Sequence, residues 1–151
     1  MTALPLHVVC AVIESADGRV LLAQRLPSQH LAGLWEFPGG KLEGDESEHD
    51  ALVRELEEEL GIRPTEATHW MDVHHHYADA QLGREVVLHV WRVSAWEGEP
   101  VGCLGQPLQW VLRSGLHDFA VPEANRAVVN ALVLPERCLI TGDADSVDDY
   151  F

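Results

Sequence analysis

GKLEGDESEHDALVRELEEELGI, residues 40–62, is the stretch on which both fold and chemistry turn. Its apolar residues Ala51, Leu52, Leu56 and Leu60 recur at helical spacing. The pattern predicts a helix that opens near Glu46 or Ser47 and stops at Gly61, a residue type suited to the left-handed turn after a helix. Glu55, Glu58 and Glu59 stand at i, i+3 and i+4 and therefore share one helical face. Two carboxylates ~5 Å apart repel by roughly 3 kcal/mol at an effective dielectric of about 20. An exposed pairing with Arg54 returns only ~1 kcal/mol or less. A hard divalent cation relieves the repulsion better, and Mg²⁺ favours oxygen ligands shared with phosphates. On spacing alone, a solvated acidic helix face is the competing reading.

Working outward, residues 6–14 and 19–24 are β-branched-rich runs around an Ala-Asp-Gly turn and read as a hairpin. Residues 26–38 read as a loop, broken by Pro27, Gly33 and Pro38. Two strands are expected at 68–77 and 84–95, a turn at WEGEP (96–100) and a short strand at 108–112. A last helix is expected at about 122–133, with Pro122 in its first turn. Strands mixed with two helices predict an α/β or α+β domain.

The chain has 151 residues, enough for one self-supporting core. No apolar run approaches the ~18 residues of a membrane span, and the N-terminus does not read as a signal peptide. Cys10, Cys103 and Cys138 are three and far apart, which argues against a disulfide framework and for a cytoplasmic setting. Twenty-five acids against ten Lys and Arg give a net charge of −15. Such a chain repels nucleic-acid polymers, and it repels a free polyphosphate unless metal ions accompany it.

At every defined position, residues 40–62 fit the pattern G-x5-E-x7-R-E-U-x-E-E-x-G-U, where U is a bulky apolar residue. A chance match is on the order of one in ten million chains. The stretch resembles the Nudix box. That resemblance implies an α/β/α sandwich with a central mixed sheet, and a hydrolase that splits a diphosphate linkage. It implies Gly39, Glu55, Glu58 and Glu59 as ligands of Mg²⁺, with Mn²⁺ as the second choice. Glu55 is also a candidate base, Glu46 an accessory carboxylate, and Arg54 the residue that holds the carboxylates in place.

Beyond the box, LLAQR (21–25), LWEFPGGK (34–41), WEGEP, GQP-x-x-W (105–110) and PEAN (122–125) resemble the MutT-type branch in its order. The resemblance implies a purine triphosphate substrate, with 8-oxo-dGTP first, attacked by water at the β-phosphorus. It places Asn125 at the base, and Arg25, Phe37, Lys41, Tyr77 and Arg84 around the nucleotide. Core packing for the aromatics, a helix-surface position for Asn125 and plain surface charge for the arginines are the competing readings. One departure stands out: where the branch has a further glutamate, this chain has Leu104, with Glu99 or the His-rich strand as conceivable substitutes. Other diphosphate substrates (a dinucleotide or a nucleotide sugar) and a non-catalytic nucleotide sensor remain as alternatives.

His74-His75-His76 suggests zinc at first sight. Strand neighbours point to opposite faces, however, so at most His74 and His76 converge. No Cys or further His lies at zinc spacing in the sequence. The domain is expected to occupy residues 1–134. Residues 135–151 read either as an acidic tail or, through a short resemblance of LPERCLITGD to the start of a thiamine-phosphate-synthase-like barrel, as the opening of a second domain.

Overall fold

The computed structural model describes residues 4–78 and 84–134. The readings made for the tail at 135–151 lie outside them. Strand β1 (Leu6–Ile13) is apolar on both sides of its pleat, the pattern of a strand covered on both faces. Cys10 and Val12 enter one buried cluster, and Val9, Ala11 and Ile13 enter the other. Helix α1 (Glu48–Leu60) covers the second cluster with Ala51, Leu52, Leu56 and Leu60, all fully buried. Helix α2 (Glu123–Val133) covers the first with Ala124, Val128, Val129 and Leu132. The result is a sheet held between two helices.

Besides β1 and a short β2 (Arg19–Gln24), the strands are β3 (Trp35–Glu36), β4 (Gly39–Lys41), β5 (Arg63–Tyr77), β6 (Arg84–Glu97) and β7 (Leu108–Leu112). The larger sheet has the order β4-β1-β6-β5, mixed because β1 runs parallel to β6 while the other pairs are antiparallel. The smaller sheet, β3-β2-β7, is antiparallel. A 3₁₀ helix at Arg113–Asp118, not anticipated from the sequence, leads from β7 toward α2. Among the described residues no helix is long and apolar enough to cross a membrane.

The expected β1–β2 hairpin is not a hairpin ladder. The turn is present, with Ser15 N–H donating to the Arg19 carbonyl. Only the bridge Glu14–Val20 joins the arms, and the strands then part into different sheets. Each strand is apolar on both faces and finds a better-covered partner elsewhere, β6 for β1 and β7 for β2. The β5–β6 pair is longer than expected, and its register shifts between His69 and Met71.

Candidate active site

The caps of α1 fix where its glutamates stand. Ser47 is the N-cap and its hydroxyl accepts from Asp50 N–H at 3.1 Å. Gly61 closes the helix at φ 67°, donating to the Glu57 carbonyl, and Ile62 turns back fully buried. The loop after β6 satisfies the last carbonyls: Val101 N–H donates to Leu60, while Cys103 N–H and the Gln106 amide donate to Glu59. Leu104 sits in that loop, 56% exposed. The loop therefore caps the helix, and neither Leu104 nor the exposed Glu99 lies on the wall of the cleft described below.

Arg54 is the hub of the acidic face. Its guanidinium donates to Glu46 at 2.6 and 3.1 Å, to Glu55 at 2.8 Å and to the Lys41 carbonyl at 3.1 Å, with Glu58 at 3.5 Å. Hydrogen bonding to Arg54 holds Glu46 below the usual carboxylate range. Glu55 is different. Its carboxylate lies against Gly40, where an added Cβ would overlap it, so the glycine lets the carboxylate approach the β4 backbone. Burial pushes Glu55 up against the opposing pull of Arg54, with Glu58 and Glu43 adding to the rise. Among the described residues, no cationic side chain pairs with Glu59. Burial, then the charges of Glu55 and Glu36, push it up to about 8, and Gly39 N–H donates to it at 3.2 Å. Glu58, its side chain 60% exposed, faces solvent.

Glu55 and Glu59 border a cleft of about 330 Å³, whereas Glu46, Arg54 and Glu58 are not on its wall. Glu55, Glu59 and Gly39 lie on its wall together with Asn125, Tyr77 and Glu36. Asn125, on the first turn of α2, is 8% exposed and its amide oxygen accepts from Phe37 N–H at 3.3 Å. Phe37 and Gly39 are two residues apart, so the amide and the Glu59 carboxylate attach to one backbone segment about 7 Å long.

The other expected residues are placed as follows. Phe37 reaches the cleft wall but is 2% exposed and packs in the core, so it offers no open ring face. Arg25 lines the cleft with its guanidinium engaged by Glu36 and the His30 carbonyl, both at 2.5 Å. Lys41 is exposed at the rim. The Tyr77 hydroxyl accepts from Ala124 N–H at 3.1 Å and so ties β5 to the start of α2. Arg84 begins β6 opposite Tyr77 and is not on the cleft wall. Of the three histidines, His74 pairs with Glu85 at 3.2 Å and His75 packs edge-on against Tyr77, on the opposite face of the strand. Glu36 was missed from the sequence. As a single acid between Trp35 and Phe37 it has no periodic signal, yet it is the further carboxylate in the cleft, and burial raises it despite Arg25.

Known proteins resemble the chain in sequence and in fold. A family model described as NUDIX domain matches residues 9–131. The chain is 35% identical over 127 residues to the 8-oxo-dGTP diphosphatase of Escherichia coli K12, covering 84% of this chain and 95% of that one. It is 49% identical over 105 residues to the CTP pyrophosphohydrolase of the same organism, covering 70% and 74%. A solved MutT structure, from work on Aliivibrio salmonicida and Vibrio cholerae, superposes with a TM-score of 0.72 at 34% identity, covering 86% of this chain and 98% of that one.

Proposed function

The chain belongs to the Nudix family and is a Nudix hydrolase, and on that premise we propose that it cleaves a nucleoside triphosphate to the monophosphate and pyrophosphate, with 8-oxo-dGTP preferred. The observation that carries the reading is the single wall on which Glu55 and Glu59 stand beside Asn125. One set of groups suits a polyphosphate and the other suits a base. Removal of an oxidised triphosphate before a polymerase uses it would be its cytoplasmic role.

Nudix hydrolases generally use divalent metals, and the residues present fit one. Glu55, Glu58 and Glu59 offer only oxygens, and burial, with the nearby acids adding to it, raises Glu59 to about 8. These three and the Gly39 carbonyl would hold Mg²⁺, or Mn²⁺. The bound ion would neutralise phosphate charge and acidify a water. Arg54 positions Glu55 and Glu46. Glu55, buried and raised toward neutrality, is suited to accept the proton of the attacking water. Asn125 has its amide oxygen committed to Phe37 N–H, which leaves its NH₂ group to donate to an acceptor on a purine edge.

A second reading, a pyrimidine triphosphate, is favoured by the 49% identity to a CTP pyrophosphohydrolase. One assay separates the readings: purified protein, Mg²⁺ and a nucleotide panel, with monophosphate and pyrophosphate measured. Preference for 8-oxo-dGTP is expected, and Asn125→Ala should erase that preference more than it slows general triphosphate cleavage. Preference for CTP would transfer the proposal to pyrimidines. Turnover of only a dinucleotide or nucleotide sugar, or binding without turnover, would sink it.

A further inference from the structure

At the opposite end of α1 from Gly61, a second set of ligating atoms converges. Glu48, the first residue of the helix, is seven residues before Glu55 and thus about 10 Å from it along the axis. One ligating atom each from Glu48, His69, Asp72 and His89 lies within 4.8 Å of the other three. Asp72 is 2.8 Å from both imidazoles, and His89 is 3.5 Å from Glu48. Bonds of 2.0–2.1 Å to a tetrahedral ion imply ligand separations of about 3.3 Å. The separations of 2.8, 2.8 and 3.5 Å lie within about half an ångström of that value, and the widest, up to 4.8 Å, closes by about 1.5 Å through side-chain rotation.

The backbone explains the convergence. His69 and Asp72 are three apart and would face opposite sides of a regular strand. The register shift between His69 and Met71 resets the pleat: His69 pairs with Trp91 and Asp72 pairs with His89, which are two apart on β6 and share a face. The surroundings are those of a supported ligand set. His89 is 9% exposed, and its Nε2 lies 2.9 Å from Nδ1 of His7. If His89 binds through Nδ1, Nε2 carries the proton and donates to His7, which fixes both tautomer and ring. Trp91 Nε1 donates to Glu48 at 3.1 Å, so this carboxylate too is oriented.

We propose that Glu48, His69, Asp72 and His89 bind a late first-row divalent cation of the Zn²⁺ class, which ties the first turn of α1 to the β5–β6 ladder. Two imidazoles and two carboxylates select such an ion over Mg²⁺, which favours oxygen alone. The site is separate from the all-oxygen face of Glu55, Glu58 and Glu59, and its role is to brace the helix that carries them.

The test is calorimetric titration of the metal-free protein with Zn²⁺ in excess Mg²⁺, together with visible spectra of the Co²⁺ form. One tight equivalent, the intense bands of four-coordinate Co²⁺ and a Zn²⁺-dependent rise in melting temperature are expected. His69→Ala and Asp72→Asn alter side chains that are 43% and 40% exposed, so the fold should persist. Each should weaken Zn²⁺ binding on the order of 100-fold or more, and His7→Phe should weaken it about 10–100-fold. Absence of Zn²⁺ binding beyond what Mg²⁺ displaces would overturn the proposal. So would binding that His69→Ala and Asp72→Asn leave intact, or binding that Glu58→Gln abolishes.

Discussion

Carboxylates shifted in opposite directions stand at the two ends of α1. Toward the C-terminus, Glu55 and Glu59 are buried beside other acids and both are raised. Toward the N-terminus, Glu48 meets Asp72, and Asp72 is lowered by hydrogen bonding to His69 and then to His89. One helix thus borders an all-oxygen cluster with excess negative charge and a mixed nitrogen–oxygen cluster whose imidazoles hydrogen-bond Asp72. The first is poised for a hard cation shared with a charged substrate; the second can satisfy itself by hydrogen bonds or hold a borderline ion. Carboxylate count alone does not distinguish them. The neighbours do.

The sharpest way to break this contrast is Glu58→Gln. The side chain is exposed and lies in the acidic cluster, so its loss relieves repulsion and should leave the melting temperature of the metal-free protein unchanged or slightly higher. Hydrolysis should nonetheless fall by about 10²–10³-fold, the scale of one electrostatic contact removed from a transition state. Steady-state rates over a Mg²⁺ titration check it. Activity within a few-fold of the parent would mean that the three helix glutamates do not act together.

The two ends were not equally legible in the sequence. Glu55, Glu58 and Glu59 obey a helical period inside one continuous segment, so their shared face could be read from spacing and their chemistry from the resemblance to the Nudix box. Ser47 and Gly61 likewise bound the helix by local rules, and the structure follows them. The cluster at Glu48 has no such signal. It is assembled from a helix start, two strands and an irregularity after His69 that reverses the alternation on which strand reading depends. The same limit explains the β1–β2 hairpin: a turn is a local property, while the partner of each strand is chosen by what covers its faces. Glu36 fell between the two cases, a lone acid whose neighbour Glu59 arrives from 23 positions downstream.

Gly40→Ala tests whether close packing maintains the first cluster. A methyl at 40 would overlap the Glu55 carboxylate, and the flexible glutamate would yield before the backbone does. Displacement by about 1 Å should cost roughly 10²-fold in rate. The change should appear in kcat more than in substrate affinity. An unchanged kcat would show that Glu55 need not lie against the β4 backbone, and would remove the packing argument for its role as base.

The smallest effect, and the most diagnostic of the contrast, is in pH. Glu59 is raised from 4.5 to about 8, so the folded protein retains a proton that the unfolded chain has released. Its contribution to stability is complete below the ordinary value and is lost as pH rises through about 8. Asp72 has the opposite sign: lowered from 3.8, it stabilises above its ordinary value and stops doing so as pH falls through its folded one. Thermal melts in chelator from about pH 6 to about pH 9 should therefore decline, and Glu59→Gln should flatten that component of the decline. A cation bound at Glu59 must displace the same proton, so Mg²⁺ affinity should rise about tenfold per pH unit below 8 and level off above it. If affinity is flat across that interval, Glu59 is already ionised in the free protein, and the crowding that separates one end of α1 from the other is relieved without a metal.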